Sequence, residues 1–378
     1  MNENAIQPEE YQERVSRLQK LAKARDYAAV IAYSAHRDYM PGDCMYLANW
    51  YTIEEASAIV VVPVDDSPTL LIDVDWDIDR ANDEAMLENK RVSHDYAEAI
   101  QRILKKAGRT KAKVAISGWH IFPARLYLAL REKLPGVEFV DDPSLMYELR
   151  MYKSPAELNL MRAAARSTDI AIETMHKFSR AGVTEYEVAA EGNYALEKLG
   201  AVPSFATEVG AGARTWLGTI MPSGYILQEG DLVILDIGAR YKGYHGDHAR
   251  SFVVGDKPTD EQRRFLDVIH DSLEYTLDNL KPGMLASEVH DLGAKICREA
   301  GYGKYWWQAF IPHGNGISMH EWPKFERGVP DLPVQPNMVL NIEPGLYIPD
   351  WGGARIEQQI IITEDGHELL SKYPTRLW

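Results

Sequence analysis

The stretch Leu232-Val233-Ile234-Leu235-Asp236 constrains the fold of this chain more than any other. Four apolar residues in succession, with no polar alternation, read as a strand buried on both faces, and such a strand needs layers of structure on each side of its sheet. A carboxylate at its end costs several kcal/mol if it stays ionised without a partner. An isolated Asp of this kind most often caps a turn or pairs with a cation. Asp236 is not isolated. Three further segments place ionisable groups where an apolar run meets a turn: FIPHGNGISMHEWP with His313 and His320, NMVLNIEPGLYIP with Glu343, and GGARIEQQIIIT with Glu357. Asp247 follows eleven residues after Asp236, flanked by His245 and His248.

The 378 residues exceed the roughly 250–300 that one hydrophobic core supports, so two domains are expected. Near the start, Tyr11, Val15, Leu18 and Ala22 recur at helical spacing. The strand-like runs AAVIAYS, AIVVVP, TLLIDV, KVAIS and VEFV then alternate with helices that open near Ser93 and span 122–134. That alternation predicts an α/β domain over residues 1–150. Ser154-Pro155-Ala156-Glu157 is a capping box with proline at the first helical position, so a new helix and a second domain, 151–378, begin there. In it, helices are expected over 155–180, 185–199, 259–280 and 287–300, and strands over 232–239, 249–254, 338–342 and 355–363. Their order lacks regular βαβ alternation and predicts an α+β domain with an antiparallel sheet.

With 41 basic against 56 acidic residues, the net charge of -15 repels phosphate backbones, which argues against nucleic acid as a partner. The first residues, MNENAIQPEEYQER, have neither a basic nor an apolar leader region, and no apolar run approaches membrane-spanning length. Cys44 and Cys297 form no CxxC pattern. A cytoplasmic protein without membrane attachment, carrying two buried thiols, is the expectation.

Taken together, Asp236, Asp247, Glu343 and Glu357 supply four oxygen-ligand side chains, and His313 supplies one imidazole. Four crowded carboxylates repel one another, whereas two divalent cations would neutralise them. Oxygen ligands with one nitrogen suit Mn, Fe, Co or Zn, and the absence of nearby thiolates argues against a structural zinc site.

This ordered set, carried in DIGARYKGYHGD, HGNGISMHEWP, NIEPG and GGARIE, resembles the metallopeptidases of the pita-bread fold, a family that includes methionine aminopeptidase, aminopeptidase P, prolidase and the metal-free relative creatinase. The match spans about residues 150–372, and the N-terminal portion resembles the creatinase/prolidase N-terminal domain. The resemblance implies an α/β N-terminal domain followed by an α+β pita-bread catalytic domain with two divalent ions, manganese foremost. Asp236 would chelate one metal, Asp247 and Glu357 would bridge both, and His313 and Glu343 would bind the other. A water whose pKa coordination lowers would be the nucleophile, with Glu343 as proton shuttle. His320, seven residues after His313, would contact the substrate and stabilise the tetrahedral oxyanion. The resemblance also implies a homodimer, with MYLANW at 45–50 contributing to a pocket.

Three positions depart from the family pattern. Thr219 stands eleven residues before Gly230, where prolidase and aminopeptidase P carry a histidine, and Thr cannot act as an acid or base. Ala249 stands where the family tends to carry Thr. Lys324 replaces an Arg and lacks its bidentate geometry toward a carboxylate. Trp306 and Trp307, in KYWWQAF, would wall a pocket for an apolar or cationic group, or would pack in the core or at a dimer contact. The candidate substrate-binding residues are thus His320, Thr219, Lys324, Trp306 and Trp307. Of His245 and His248, on a strand hairpin, one is expected to face solvent.

The leading functional expectation is a metal-dependent hydrolase of a short peptide or peptide-like amide, closest to Xaa-Pro dipeptidases. Thr219, Ala249 and the tryptophan pair motivate a second, a creatinase-like C–N hydrolase or lyase of a small metabolite on the same fold. A third, a non-enzymatic binding module, is disfavoured because a binder has no use for four crowded carboxylates.

Overall fold

The computed structural model describes residues 6–35, 42–53, 56–306 and 311–378, and the chain divides into two compact units, Met1–Arg150 and Met151–Trp378. The first unit is built on a six-stranded sheet in the order Asn89–Val92, Thr69–Ile72, Ser57–Pro63, Ala29–Ala35, Lys113–Ser117, Glu138–Asp141. Ala29–Ala35 pairs antiparallel with Ser57–Pro63 and parallel with Lys113–Ser117, so the sheet is mixed. Its apolar runs leave no polar face. Ile31, Ile59, Leu71, Val114 and Ile116 pack with Ile100 and Leu104 of helix Tyr96–Lys106 and Leu130 of helix Ala124–Lys133. Each such side chain contributes about 1.5–3 kcal/mol by leaving water.

The helix Gly42–Ala48 carries no amphipathic signal, because nearly all of it is buried. Its Asp43 accepts from Arg150 Nη1 at 2.8 Å and from the Ser117 hydroxyl. In the 45–50 stretch, Met45, Tyr46, Leu47, Ala48 and Trp50 are buried. The Tyr46 hydroxyl donates to Leu149 O at 3.1 Å, and the Arg80 guanidinium lies 3.9 Å over the Trp50 ring. This stretch therefore fills the interior of its own unit, where the sequence reading had it lining a pocket.

In the second unit every strand pairing among the described residues is antiparallel. One sheet runs His248–Val253, Leu232–Ile237, Glu208–Ala211, and another runs Glu321–Lys324, His313–Gly314, Val339–Ile342, Gln358–Ile362, His367–Leu369. Each is backed by a helix pair. Ala171, Ile172 and Met175 of helix Pro155–Phe178, with Val188 and Leu196 of Glu185–Lys198, pack on Val233, Leu235 and Phe252. Phe265, Ile269 and Leu273 of Asp260–Asn279, with Val289 of Ala286–Glu299, pack with Leu340, Ile342 and Ile360. The capping boxes at Ser154, Thr184 and Thr259 all form.

Two expected strands are interrupted. The 232–239 run breaks at Gly238, where a Cβ would meet the Gly246 carbonyl and where Ser204 N takes the Gly238 O at 2.8 Å. The 355–363 run is two strands, Gly352–Arg355 and Gln358–Ile362, because Glu357 N turns aside to Ala249 O at 3.0 Å.

Arg250 is fully buried and ties the C-terminal segment to the sheet. Its Nε donates to Pro374 O at 2.7 Å, Nη1 to Ala249 O at 2.8 Å and Glu357 O at 2.6 Å, and Nη2 to Ser371 Oγ at 2.9 Å and Tyr373 O at 2.8 Å. Burial pushes its pKa down to about 10. Asp169 holds the same segment, accepting from Ser371 Oγ at 2.5 Å and Lys372 N at 2.6 Å. Burial pushes the Asp169 carboxyl up, but His248, Ser371 and the Lys372 N–H outweigh it and hold it at about 2.

Arg250→Met is expected to destabilise the protein by about 3–5 kcal/mol, since several buried carbonyls lose their donor; the urea midpoint measures it. The Asp169 pKa is lower folded than unfolded, so its contribution, roughly 1–2 kcal/mol after solvent screening, is complete above about pH 4 and fades as pH falls toward 2. Asp169→Asn is expected to flatten that part of the stability–pH curve.

Candidate metal centre

Asp236 ends the buried strand Leu232–Ile237 opposite Ala249 on one neighbouring strand and Glu208 on the other. The break at Gly238 then turns the chain toward Asp247. That turn is clamped on helix Pro155–Phe178: Gly246 lies against Thr168 and Ala164 with no room for a side chain, and Ala239 N donates to Thr168 Oγ1 at 2.9 Å. The Tyr244 hydroxyl donates to Glu157 Oε1, in the first turn of that helix, at 2.9 Å. From the other sheet, Asn341 Nδ2 donates to Glu357 Oε2 at 3.1 Å, and Glu343 follows the same strand, Val339–Ile342. His313 pairs with Asn341 across the strands. Its Nδ1 lies 3.0 Å from Gly314 O, which assigns the ring proton to Nδ1 and leaves the Nε2 lone pair facing the acids without a donor.

Two groups of ligand atoms result, each gathered within 4.8 Å: Asp236, Asp247 and Glu357, and Asp247, His313 and His320. Asp247 belongs to both. His313 Nε2 is 3.6 Å from Asp247 Oδ2 and 3.6 Å from Glu343 Oε1. The His313 and His320 rings meet edge to face, with centroids 4.4 Å apart.

The electrostatics are those of a site short of positive charge. Burial first, and then the negative charge of Glu357, push the carboxyls of Asp236, Asp247 and Glu343 well above the usual range. Burial pushes His313 down to about 3 and His320 to about 4, so both rings are neutral. Arg355 is the one guanidinium among these acids in the described residues. Its Nη2 bonds Asp236 Oδ2 and lies 3.0 Å from Glu208 Oε2, and its Nε is 3.4 Å from Glu357 Oε1. One cation shared three ways leaves the charge uncompensated. Asp236 Oδ1, His313 Nε2 and Glu343 Oε1 are buried without a hydrogen-bond partner, and unpaired acceptors of this kind fit divalent metal ions.

The other expected site residues divide. Thr219 is exposed, on a loop tied at both sides to the site, since Gly218 O takes Arg355 Nη1 at 3.4 Å and Ile220 N donates to Glu208 Oε2 at 3.2 Å. Lys324 forms an ion pair with Glu326, two residues along its own strand direction, and its charge bears on both His313 and His320. Trp306 is a core residue: it packs in the cluster of Phe265 and Leu346, and its indole N–H donates to His290 Nε2 at 3.2 Å, which gives it a packing part in place of a pocket wall. Trp307 lies outside the described residues. Neither His245 nor His248 faces solvent, because both strands of their hairpin are buried; His248 Nδ1 lies 3.3 Å from Asp169 Oδ1.

Sequence reading passed over Arg355, Glu208 and Asn341. Two left a trace: Arg355 and Glu357 share one face of an extended segment, and Asn341 is a polar residue inside the apolar run Val339–Ile342. Glu208 became visible only through its cross-strand pairing with Asp236.

Comparison with known proteins places this geometry among peptidases. The description Metallopeptidase family M24 matches residues 159–364, more than half of the chain, and Creatinase/Prolidase N-terminal domain matches residues 14–152. An Xaa-Pro dipeptidase of Pyrococcus furiosus is 34% identical over 243 residues, which cover 64% of this chain and 69% of the relative. Among solved structures, the Xaa-Pro dipeptidase from Bacillus anthracis superposes with a TM-score of 0.86 at 27% identity, covering 97% of this chain and 99% of that one. The prolidase from Pyrococcus horikoshii has a TM-score of 0.86 at 26% identity, covering 97% and 100%.

A divalent metal ion at a hundred times its dissociation constant is expected to stabilise the protein by roughly 2.7 kcal/mol, seen as a rise in melting temperature. Asp247→Asn, which removes the charge of the residue common to both ligand groups, is expected to abolish most of that rise, and calorimetric titration is expected to lose metal binding.

Proposed function

The chain belongs to metallopeptidase family M24, and from that premise we propose that it is a dinuclear-metal-dependent hydrolase of Xaa-Pro dipeptides, with residues 1–150 and 151–378 as its two domains and the second as the catalytic one. The observation that carries the reading is the convergence of Asp236, Asp247, Glu343, Glu357 and His313, with Asp247 common to two ligand groups. The names of the relatives supply the substrate class and lend no support to a C–N hydrolase or lyase of a small metabolite.

In this reading Asp236, Asp247, His313, Glu343 and Glu357 would hold the two ions, with Asp247 and Glu357 shared between them; manganese would be the first choice, with cobalt, zinc or iron as alternatives. When bound, the ions supply Lewis acidity toward the scissile carbonyl and lower the pKa of a water. Glu343 would take up a proton from the attacking water and pass it to the leaving amine. His320 stays neutral and donates a hydrogen bond to the developing oxyanion. Thr219 offers a hydroxyl donor to the substrate. Lys324 offers a cation to its carboxylate, in competition with Glu326. We assign the protein to the cytoplasm, consistent with two free buried cysteines, and propose a homodimer on the family resemblance alone.

Purified protein supplied with manganese or cobalt is expected to hydrolyse Xaa-Pro dipeptides, and a chelator is expected to abolish turnover. Cleavage of small amidines or cyclic amides with dipeptides untouched overturns the assignment. His320→Ala is expected to lower kcat by about 100–1000-fold with bound metal unchanged. Light scattering at micromolar concentration is expected to give twice the chain mass.

A further inference from the structure

A buried ion pair beneath the His313–His320 loop has no part in the chemistry above. Lys153 precedes the helix cap Ser154, and its Nζ lies 3.2 Å from Glu321 Oε2, with both side chains only 1% exposed. Lys153 is fixed at its backbone as well, N donating to Asn337 O at 2.9 Å, and its Nζ also reaches Met151 O at 3.4 Å. Glu321 is the residue next to His320. Its Oε1 accepts from Ser318 N at 2.9 Å, so the carboxylate folds back under the loop that carries the histidine. Gly316 makes room for it, since a Cβ there would lie 2.7 Å from Glu321 Oε2. The loop is further closed by Gly316 N to Ser318 O at 3.1 Å and Asn315 Nδ2 to Met319 O at 2.9 Å.

A buried Lys–Glu pair is weak as a stabilising device, because the desolvation of two charges offsets most of their attraction, and apolar replacement of such pairs is often neutral. What it supplies here is a fixed direction. Helix Pro155–Phe178 begins at Ser154 and carries the clamp on the Asp247 turn, so Lys153 links the mount of Asp247 to the mount of His320. We propose that Lys153 is a positioning residue for His320, acting through Glu321: the pair sets the distance of the His320 ring from the ligand groups around Asp247 and His313. The proposal rests on His320 acting in hydrolysis as proposed above. A displacement of about 1 Å at such a position lowers turnover by about 100-fold without touching the substrate.

The test is the double variant Lys153→Met with Glu321→Gln, which removes both charges together and keeps an acceptor for Ser318 N. Amide exchange over residues 314–321 is expected to quicken at least about tenfold, with exchange elsewhere, melting temperature and metal stoichiometry unchanged. On an Xaa-Pro dipeptide, kcat is expected to fall about 10–100-fold with KM within about threefold. In a His320→Ala background the double change is expected to cost nothing further. Unchanged exchange over 314–321, or the same fractional loss of kcat with His320 already removed, overturns the proposal. If the parent cleaves no Xaa-Pro dipeptide, the functional reading fails, and the exchange measurement alone decides whether the pair holds the loop. Should the double variant not fold, Glu321→Asp, which keeps both charges but shortens the reach, takes its place under the same criteria.

Discussion

Carboxylates withdrawn from water repel one another far more strongly than they do at a surface: about 4 kcal/mol for two unit charges 4 Å apart at an effective dielectric of 20, against about 1 kcal/mol in water. Asp236, Asp247, Glu343 and Glu357 are all withdrawn, and the second unit is arranged so that none of them escapes. Asp236 is fixed by the strand it ends, Asp247 by a turn pressed on a helix, Glu357 by the Asn341 amide, and Glu343 by the strand before it. Each anchor is a separate contact between parts of the chain distant in sequence. Their sum is a strained charge distribution that only added positive charge relieves.

Arg355 relieves part of it and in doing so orders the rest. By taking Asp236 Oδ2 it leaves Oδ1 as the free oxygen, and by lying between Glu208 and Glu357 it keeps those two from swinging toward it. A guanidinium cannot do more, because its planar fork addresses carboxylates at its edge and has no means of gathering several of them and an imidazole around a common point. The division of labour follows from shape: the arginine orients, and compact divalent charges would complete the coordination.

Much of this was legible in the chain. Apolar runs that stop at Asp236 and Glu343, and one that begins just after Glu357, announce buried strands with charged ends, and Ser154, Thr184 and Thr259 with their acidic or amide partners three residues on mark real helix starts. Strand interruptions at Gly238 and Glu357 were not legible, since both depend on a carbonyl from another part of the sheet. Trp306 misleads for a related reason. An aromatic beside a site motif reads the same whether it faces a ligand or a core, and only the His290 acceptor settles which. His245 and His248 were judged by strand alternation, which fails once both faces of a hairpin are covered. Helices such as Gly42–Ala48 stay hidden because full burial erases the periodic contrast that marks a surface helix.

The helix Pro155–Phe178 has two histories written into it. Its inner face meets the Asp247 turn at van der Waals distance through Ala164 and Thr168, where one added methyl group would move a residue of the site. Its outer face is partly exposed and holds looser ties, such as Arg162 to Glu368. Descendants of this sequence are therefore free to drift on one side of a single helix while the other side is held almost still, and a mutational survey of the chain would find intolerance at alanines that touch no reacting group.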